Sequence, residues 1–438
     1  MDQRRFLAFI LTSSLFLFVW GQFVVPRLVP KPPPAPADAR VEGGKAAEGE
    51  NPAAAVAVGG GAKAPDAPEA EPVPAVVAAP VLFPAEEVEL GSIDPASGYR
   101  MRVTVSSRGA SIQEIALNDP RYTELPNPGA RGPQKLLPLR VVGPADPGAP
   151  EIIQSFQTNV KEFINDIGRA NWEFVEKTET TAKLRIRSAN GKLEAIKTYR
   201  LEKVGNEPGG IGELAGYQVK LDFTIRNLTD KPQKVQYTMY GPVGLPLENE
   251  DNIHLFREII GGFLADNGTV TTSFVAAQPI ADGTKKETWA KPFQFIGVTQ
   301  QFFAALLIPE ADQLKSRYFS ETRPVVIAKA SKLQHSDISV QMTSVPLELP
   351  AAAAGDDTTG SVTHSFRIFA GPKRSDLVAA LKMPELDHIE WFTLMLPLKP
   401  FVDLISPAML WLLGSFEKLT GNWGVAIILL TVVVRCLM

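Results

Sequence analysis

A single cysteine, Cys436, stands in 438 residues, so no disulfide closes within the chain and no cysteine-clustered zinc site exists. It sits in an apolar run with no histidine near it, which argues against a thiol nucleophile. Histidine is scarce too: His254, His335, His364 and His388 are the four. No H-E-x-x-H, no paired-histidine metal spacing and no G-x-S-x-G elbow accompanies them. The glycine pairs at 209–210 and 261–262 lack the strand-to-helix setting of a phosphate loop. No catalytic residue, metal ligand or cofactor is therefore expected, and the chain does not read as an enzyme. Charge of one sign is also lacking. The formal net charge is -4, with no long basic run, which excludes a nucleic-acid footprint and a purely electrostatic membrane surface.

Aromatic residues are missing between Phe23 and Phe83. Residues 26–84 consist mostly of Pro, Ala and Gly with scattered charges, too little apolar surface to offset the entropy of ordering. This stretch reads as a disordered tether. Before it, Arg4 and Arg5 precede an apolar run over 6–25, twenty residues, enough to cross a ~30 Å hydrocarbon core. The run ends in Phe23, Val24, Val25 and Pro26 without a small-residue cleavage pattern, so residues 1–25 read as an uncleaved transmembrane signal anchor.

Residues 85–374 follow a period of two. In YQVKLDFTIRNLTDKP, Val219, Leu221, Phe223 and Ile225 alternate with Lys220, Asp222, Thr224 and Arg226. Similar strands are YRMRVTVSS, RPVVIAK, DISVQMTSV and VTHSFRIFAGP, and Asn190-Gly191 marks a hairpin. His364, within the last of these, needs no role beyond a place on a strand face. Many short strands joined by turns predict one large antiparallel β-sandwich.

From residue 375 the pattern changes. Residues 375–420 read as short helices and an interfacial amphipathic segment, because Pro397, Pro400 and Pro407 and the charges at Lys399 and Asp403 disfavour a continuous span. A transmembrane helix remains the other reading. Trp391, Trp411 and Trp423 suit anchors at a membrane interface. Residues 421–438 begin a second apolar helix interrupted by Arg435. Twelve steps from Trp423 to Arg435 rise ~18 Å, past the middle of a ~30 Å core without leaving it. An intramembrane arginine costs ~2.5–3.5 kcal/mol on insertion scales. Thr431 lies four residues earlier, on the same face. Two readings stand: a polar stripe facing a wet cavity or an acidic partner, or an arginine snorkelling to the surface.

The order of anchor, tether, β domain and aromatic segment, together with GNWGVAIILLTVVVRCLM, resembles the YidC/Oxa/Alb family of membrane-protein insertases. The family pattern is G-N-W-G-x-(S/A)-I-I-(I/L), then threonine, three apolar residues and arginine. Gly421, Asn422, Trp423, Gly424, Thr431 and Arg435 match it in place. RIFAGPKRSDLV resembles the family's exit from its β domain, and IGVTQQFFAALLIP a segment inside it. The likeness covers essentially the whole chain.

The resemblance implies a bacterial inner-membrane protein with a periplasmic β-supersandwich of the galactose-mutarotase type, flanked by N- and C-terminal transmembrane helices. It implies help in inserting, folding and assembling integral membrane proteins, alone or with the Sec translocon, and nascent clients, the ribosome and the lipid bilayer as partners. Arg435, with Thr431 beside it, would line a hydrophilic groove that attracts acidic residues of a translocated tail. The family core has five helices, so a chain holding only the start of the first is expected to be inactive as written. Two alternatives stand beside this. A tethered periplasmic carbohydrate-binding or mutarotase-like domain would need a converging His/Glu pair, and a structural anchor for envelope proteins would not.

Overall fold

The computed structural model describes residues 83–123, 132–137, 140–141, 152–204, 211–247, 257–265, 267–310, 317–352, 359–383, 386 and 399–437. The signal anchor expected at 1–25, nearly all of the tether, Trp391, His254 and His388 lie outside the described residues.

Alternation builds the largest sheet. In the strand Gln218–Asn227, Val219, Leu221, Phe223 and Ile225 are buried, while the intervening positions are exposed or half-buried. The sheet has nine antiparallel strands in the spatial order Val270–Ala276, Glu258–Leu264, Phe293–Thr299, Phe303–Pro309, Ser361–Pro372, Gln218–Asn227, Leu193–Leu201, Thr181–Arg187 and Glu173–Lys177. Near its middle the alternation stops: all seven residues of Phe303–Pro309 are buried, as expected of a strand covered on both faces. The Asn190-Gly191 turn closes the Thr181–Arg187 and Leu193–Leu201 hairpin, with Gly191 at φ +67° and Asn190 Oδ1 accepting from the Lys192 amide at 3.0 Å.

A four-stranded sheet, in the order Phe319–Ala328, Asp337–Ser344, Tyr237–Tyr240 and Thr158–Val160, packs over the large one. Tyr237 reaches across to Phe223, with ring centroids 4.9 Å apart and edge to face. A second four-stranded sheet, Glu87–Gly91, Met101–Ser106, Ser111–Leu117 and Lys135–Leu136, contributes Leu90, Met101, Val103 and Ile115 to the same core. The result is the mainly β antiparallel sandwich that the periodicity predicts.

Helices are few among the described residues. Three are short: α1 (Ile211–Ala215), α2 (Ala277–Ala281) and α3 (Ser375–Leu381). Two longer ones follow, α4 (Lys399–Thr420) and α5 (Trp423–Leu437). Where the sequence suggests breaks at its prolines, α4 runs as one helix of 22 residues. Pro400 falls in the first turn, where no amide bond is needed, so only Pro407 interrupts the ladder. No helix among the described residues is long and apolar enough to cross a membrane. The 15 residues of α5 rise ~22 Å, short of a ~30 Å core.

Candidate functional site

The joint between α4 and α5 follows from two residues. Gly421, at φ +62°, takes the left-handed conformation that ends α4, and its amide donates to the Glu417 carbonyl at 2.7 Å. Asn422 then caps α5: its Oδ1 accepts from the amides of Gly424 at 2.8 Å and Val425 at 3.3 Å. A two-residue joint of this kind turns the helices back on one another. Ala426, fully buried, is the small residue that allows close approach.

Between the helices lies a cleft of about 470 Å³ lined by Met409 of α4 and by Leu430, Thr431, Val434 and Arg435 of α5. Thr431 and Arg435, one turn apart, therefore share a single concavity. The Thr431 hydroxyl donates to the Ile427 carbonyl at 2.8 Å, which leaves its lone pairs as acceptors. Arg435 is exposed and has no ion pair among the described residues. Around these two polar groups the lining is aliphatic or thioether. Trp411 and Trp423 lie at the surface of the pair, 70% and 58% exposed. Met409, Leu430 and Val434 were not singled out in the sequence. The spacing 430, 431, 434, 435 marks one face of α5, but Met409 joins it only through the packing of α4.

In the β domain a second concavity, of about 330 Å³, is lined by Asn159, Val160, Lys161, Ile164, Asn165, Asp166, Gln236 and Thr238. No histidine lines it, and its only carboxylate, Asp166, pairs with Arg169 at 3.3 Å. His364 is enclosed elsewhere, stacked on Tyr318 at 3.9 Å and hydrogen-bonded through Nδ1 to the Tyr237 hydroxyl at 2.7 Å. Burial lowers its pKa to about 4, so the ring is neutral near pH 7. Among the described residues no group of three metal-ligating side chains occurs.

Residues 99–395 match the model of the YidC periplasmic domain. The chain is 25% identical over 265 residues to the membrane protein insertase YidC of Pseudoalteromonas translucida (strain TAC 125), covering 59% of this chain and 40% of that protein. With the membrane protein insertase YidC of Maricaulis maris (strain MCS10) it shares 26% over 230 residues, 51% of this chain and 34% of the relative. It thus spans about two fifths or less of the length of these relatives. Among solved structures, a galactose mutarotase-like protein from Lactobacillus casei ATCC 334 aligns with 65% of this chain and 100% of its own, at 11% identity and a TM-score of 0.36. A GalM/aldose epimerase homologue from C. elegans aligns with 66% of this chain and 100% of its own, at 10% identity and a TM-score of 0.36. The family model covers more than half of the sequence, and on that ground the chain belongs to the YidC family.

Proposed function

We propose that the chain is the N-terminal part of an insertase and chaperone for integral proteins of the bacterial inner membrane, with its β domain in the periplasm. Arg435 and Thr431 are the groove residues of this reading. The observation that supports it most is the cleft between α4 and α5, whose only polar side chains are these two. A cation in an otherwise apolar concavity lowers the desolvation penalty of an acidic group entering beside it. The client's apolar helix then departs into lipid, so no nucleotide or cofactor takes part at the site. Trp391, Trp411 and Trp423 serve as interface anchors, and nascent chains, Sec translocon components and the ribosome are the partners.

The test compares Arg435→Ala with Arg435→Lys in the full-length protein, scoring protease protection of a client with an acidic translocated tail. Arg435→Ala is expected to lower insertion about tenfold, the equivalent of ~1.4 kcal/mol of lost attraction, while Arg435→Lys retains most of it. Equal insertion by both variants and the parent excludes a working charge at this position. His364 is enclosed and offers a mutarotase-like reading no solvent-facing base.

A further inference from the structure

Five charged side chains meet where the chain leaves the β domain. The strand Ser361–Pro372 ends, Arg374 follows, and α3 begins at Ser375. Glu213, on α1, has a side chain with 0% exposure, and its carboxylate accepts from two guanidinium groups. Arg121 Nη2 donates to Oε1 at 2.6 Å, Arg374 Nη1 to Oε1 at 3.0 Å and Arg374 Nη2 to Oε2 at 2.7 Å. Arg374 Nε also donates to Asp376 Oδ1 at 2.6 Å. On the other side, Arg121 Nη2 donates to Asp119 Oδ2 at 2.6 Å, and the Tyr217 hydroxyl donates to the same oxygen at 2.8 Å.

Local structure does not account for these residues. Arg374 is the N-cap of α3, where Ser, Thr, Asp or Asn is favoured, and it makes no side-chain cap bond. Its guanidinium goes to Glu213 and Asp376 instead. Gly371 is equally specific: a Cβ there would lie 3.0 Å from the Tyr217 ring, so glycine lets that ring sit against the strand with its hydroxyl on Asp119. Another buried carboxylate, Glu194 with Arg185, Arg187 and Arg226, joins neighbouring strands of one sheet. The Glu213 cluster joins residues 119–121, α1 and residues 374–376, which no ladder connects. Shifting α1 would leave the buried Glu213 carboxylate unpaired, and shifting either of the other two would take away one of its two cations, so each shift is disfavoured. Hydrogen bonds from Arg374 hold Asp376 below the usual carboxylate range. Burial pushes Asp119 upward, but its bonds from Arg121 and Tyr217 bring it below that range as well. Asp119 and Asp376 therefore stay charged at neutral pH.

We propose that Asp119, Arg121, Glu213, Arg374 and Asp376 form a clasp that fixes the direction in which the chain leaves the β domain toward α4 and α5. They are positioning residues, and their purpose, though not their geometry, rests on the insertion reading above. Leu377, Val378, Leu381, Met383 and Leu386, all buried in the core, continue the seat that the clasp begins.

The chain in lipid nanodiscs, spin-labelled at Cys436 and at Lys220→Cys on the exposed face of the large sheet, reports the distance between the two parts. The parent is expected to give one narrow distribution. Glu213→Gln and Arg374→Met should each widen it about twofold or more, since relative motion is the default once such a contact opens. Arg374→Lys should recover part of the parental width. Asp376→Asn removes a partner at the half-exposed edge and should widen the distribution less, with strand content by circular dichroism unchanged. A parental centre and width in folded Glu213→Gln overturns the clasp. Should that variant fail to fold, a parental distribution in Asp376→Asn overturns it equally. Insertion does not enter the distance measurement. Arg435→Ala should leave the distance unchanged whatever it does to clients, so the clasp and the groove stand or fall separately.

Discussion

Lys197 in the β domain and Arg435 in the helix pair are both basic side chains among apolar residues, and the two regions treat them in opposite ways. Lys197 is fully enclosed, with Nζ donating to the Ala110 carbonyl at 3.0 Å and also to the Phe156 carbonyl. Burial pulls its pKa well below the ordinary lysine value. Arg435 stands exposed on α5 beside a cleft that offers it no carboxylate among the described residues. The apolar residues reverse in parallel. The β domain encloses Trp172, Phe223 and Phe366, whereas the helix pair presents Trp411 and Leu419 at 70% and 80% exposure. One region is finished by its own packing. The other has a surface that lipid or protein would have to cover.

The largest expected effect breaks the finished region at Lys197. Ala110 and Phe156 hold positive φ angles of 45° and 64°, unusual for residues with a Cβ, and Lys197 Nζ binds the carbonyls of both. Lys197→Ala opens a cavity and leaves those carbonyls only the hydroxyls of Tyr199 and Thr158 as side-chain donors, so the β domain should lose about 4 kcal/mol in chemical denaturation. A loss under about 1 kcal/mol would mean that water replaces the Lys197 amine readily, and the contrast with Arg435 would weaken.

A second effect, comparable but dependent on pH, comes from His364. Its folded pKa of about 4 lies below the ordinary value of 6.5, so between these pH values the unfolded chain binds a proton that the native core refuses. Stability is therefore full above about pH 6.5 and falls as the pH drops toward 4, by up to ~3 kcal/mol. His364→Gln should remove that slope while leaving the loss below pH 4 that Asp119 and Asp376 contribute. Their folded pKa values are lowered, and protonation there favours unfolding. An unchanged slope in the variant would show that the ring takes up its proton without leaving the core.

These particulars also show what the sequence made legible. Alternation sufficed for strands such as Gln218–Asn227, because one face is buried and the other is not. It also put Lys197 in line with Ala195 and Tyr199, both buried, yet a lysine there reads as a solvated position until the carbonyls that receive it are known. Thr431 and Arg435 could be paired by their spacing on α5, whereas Met409 could not, since its place depends on how α4 packs. The continuity of α4 was obscured by counting prolines without regard to the first turn, where Pro400 is harmless. The clasp was legible only at one end: Arg374 and Asp376 fall in RIFAGPKRSDLV, but Arg121 and Glu213 lie 92 residues apart and Glu213 and Arg374 161 apart, and no periodicity links them.

The smallest expected effect belongs to the helix pair, and it asks whether the joint there is set by packing or by backbone alone. A Cβ at Gly421 would meet nothing within 4 Å, so a side chain there costs only the left-handed conformation at φ +62°. Gly421→Ala should therefore lower the stability of the α4–α5 hairpin by about 1 kcal/mol, and Gly421→Asn by less, because asparagine tolerates that conformation. Thermal melts of the helical signal, with cross-linking across the cleft as a second readout, should rank glycine above asparagine and asparagine above alanine. Equal melts would mean that α4 and α5 hold their angle through Ala426 and the cleft residues. In that case the helix pair has more packing of its own than its exposed tryptophans suggest, and the contrast with the β domain is one of degree.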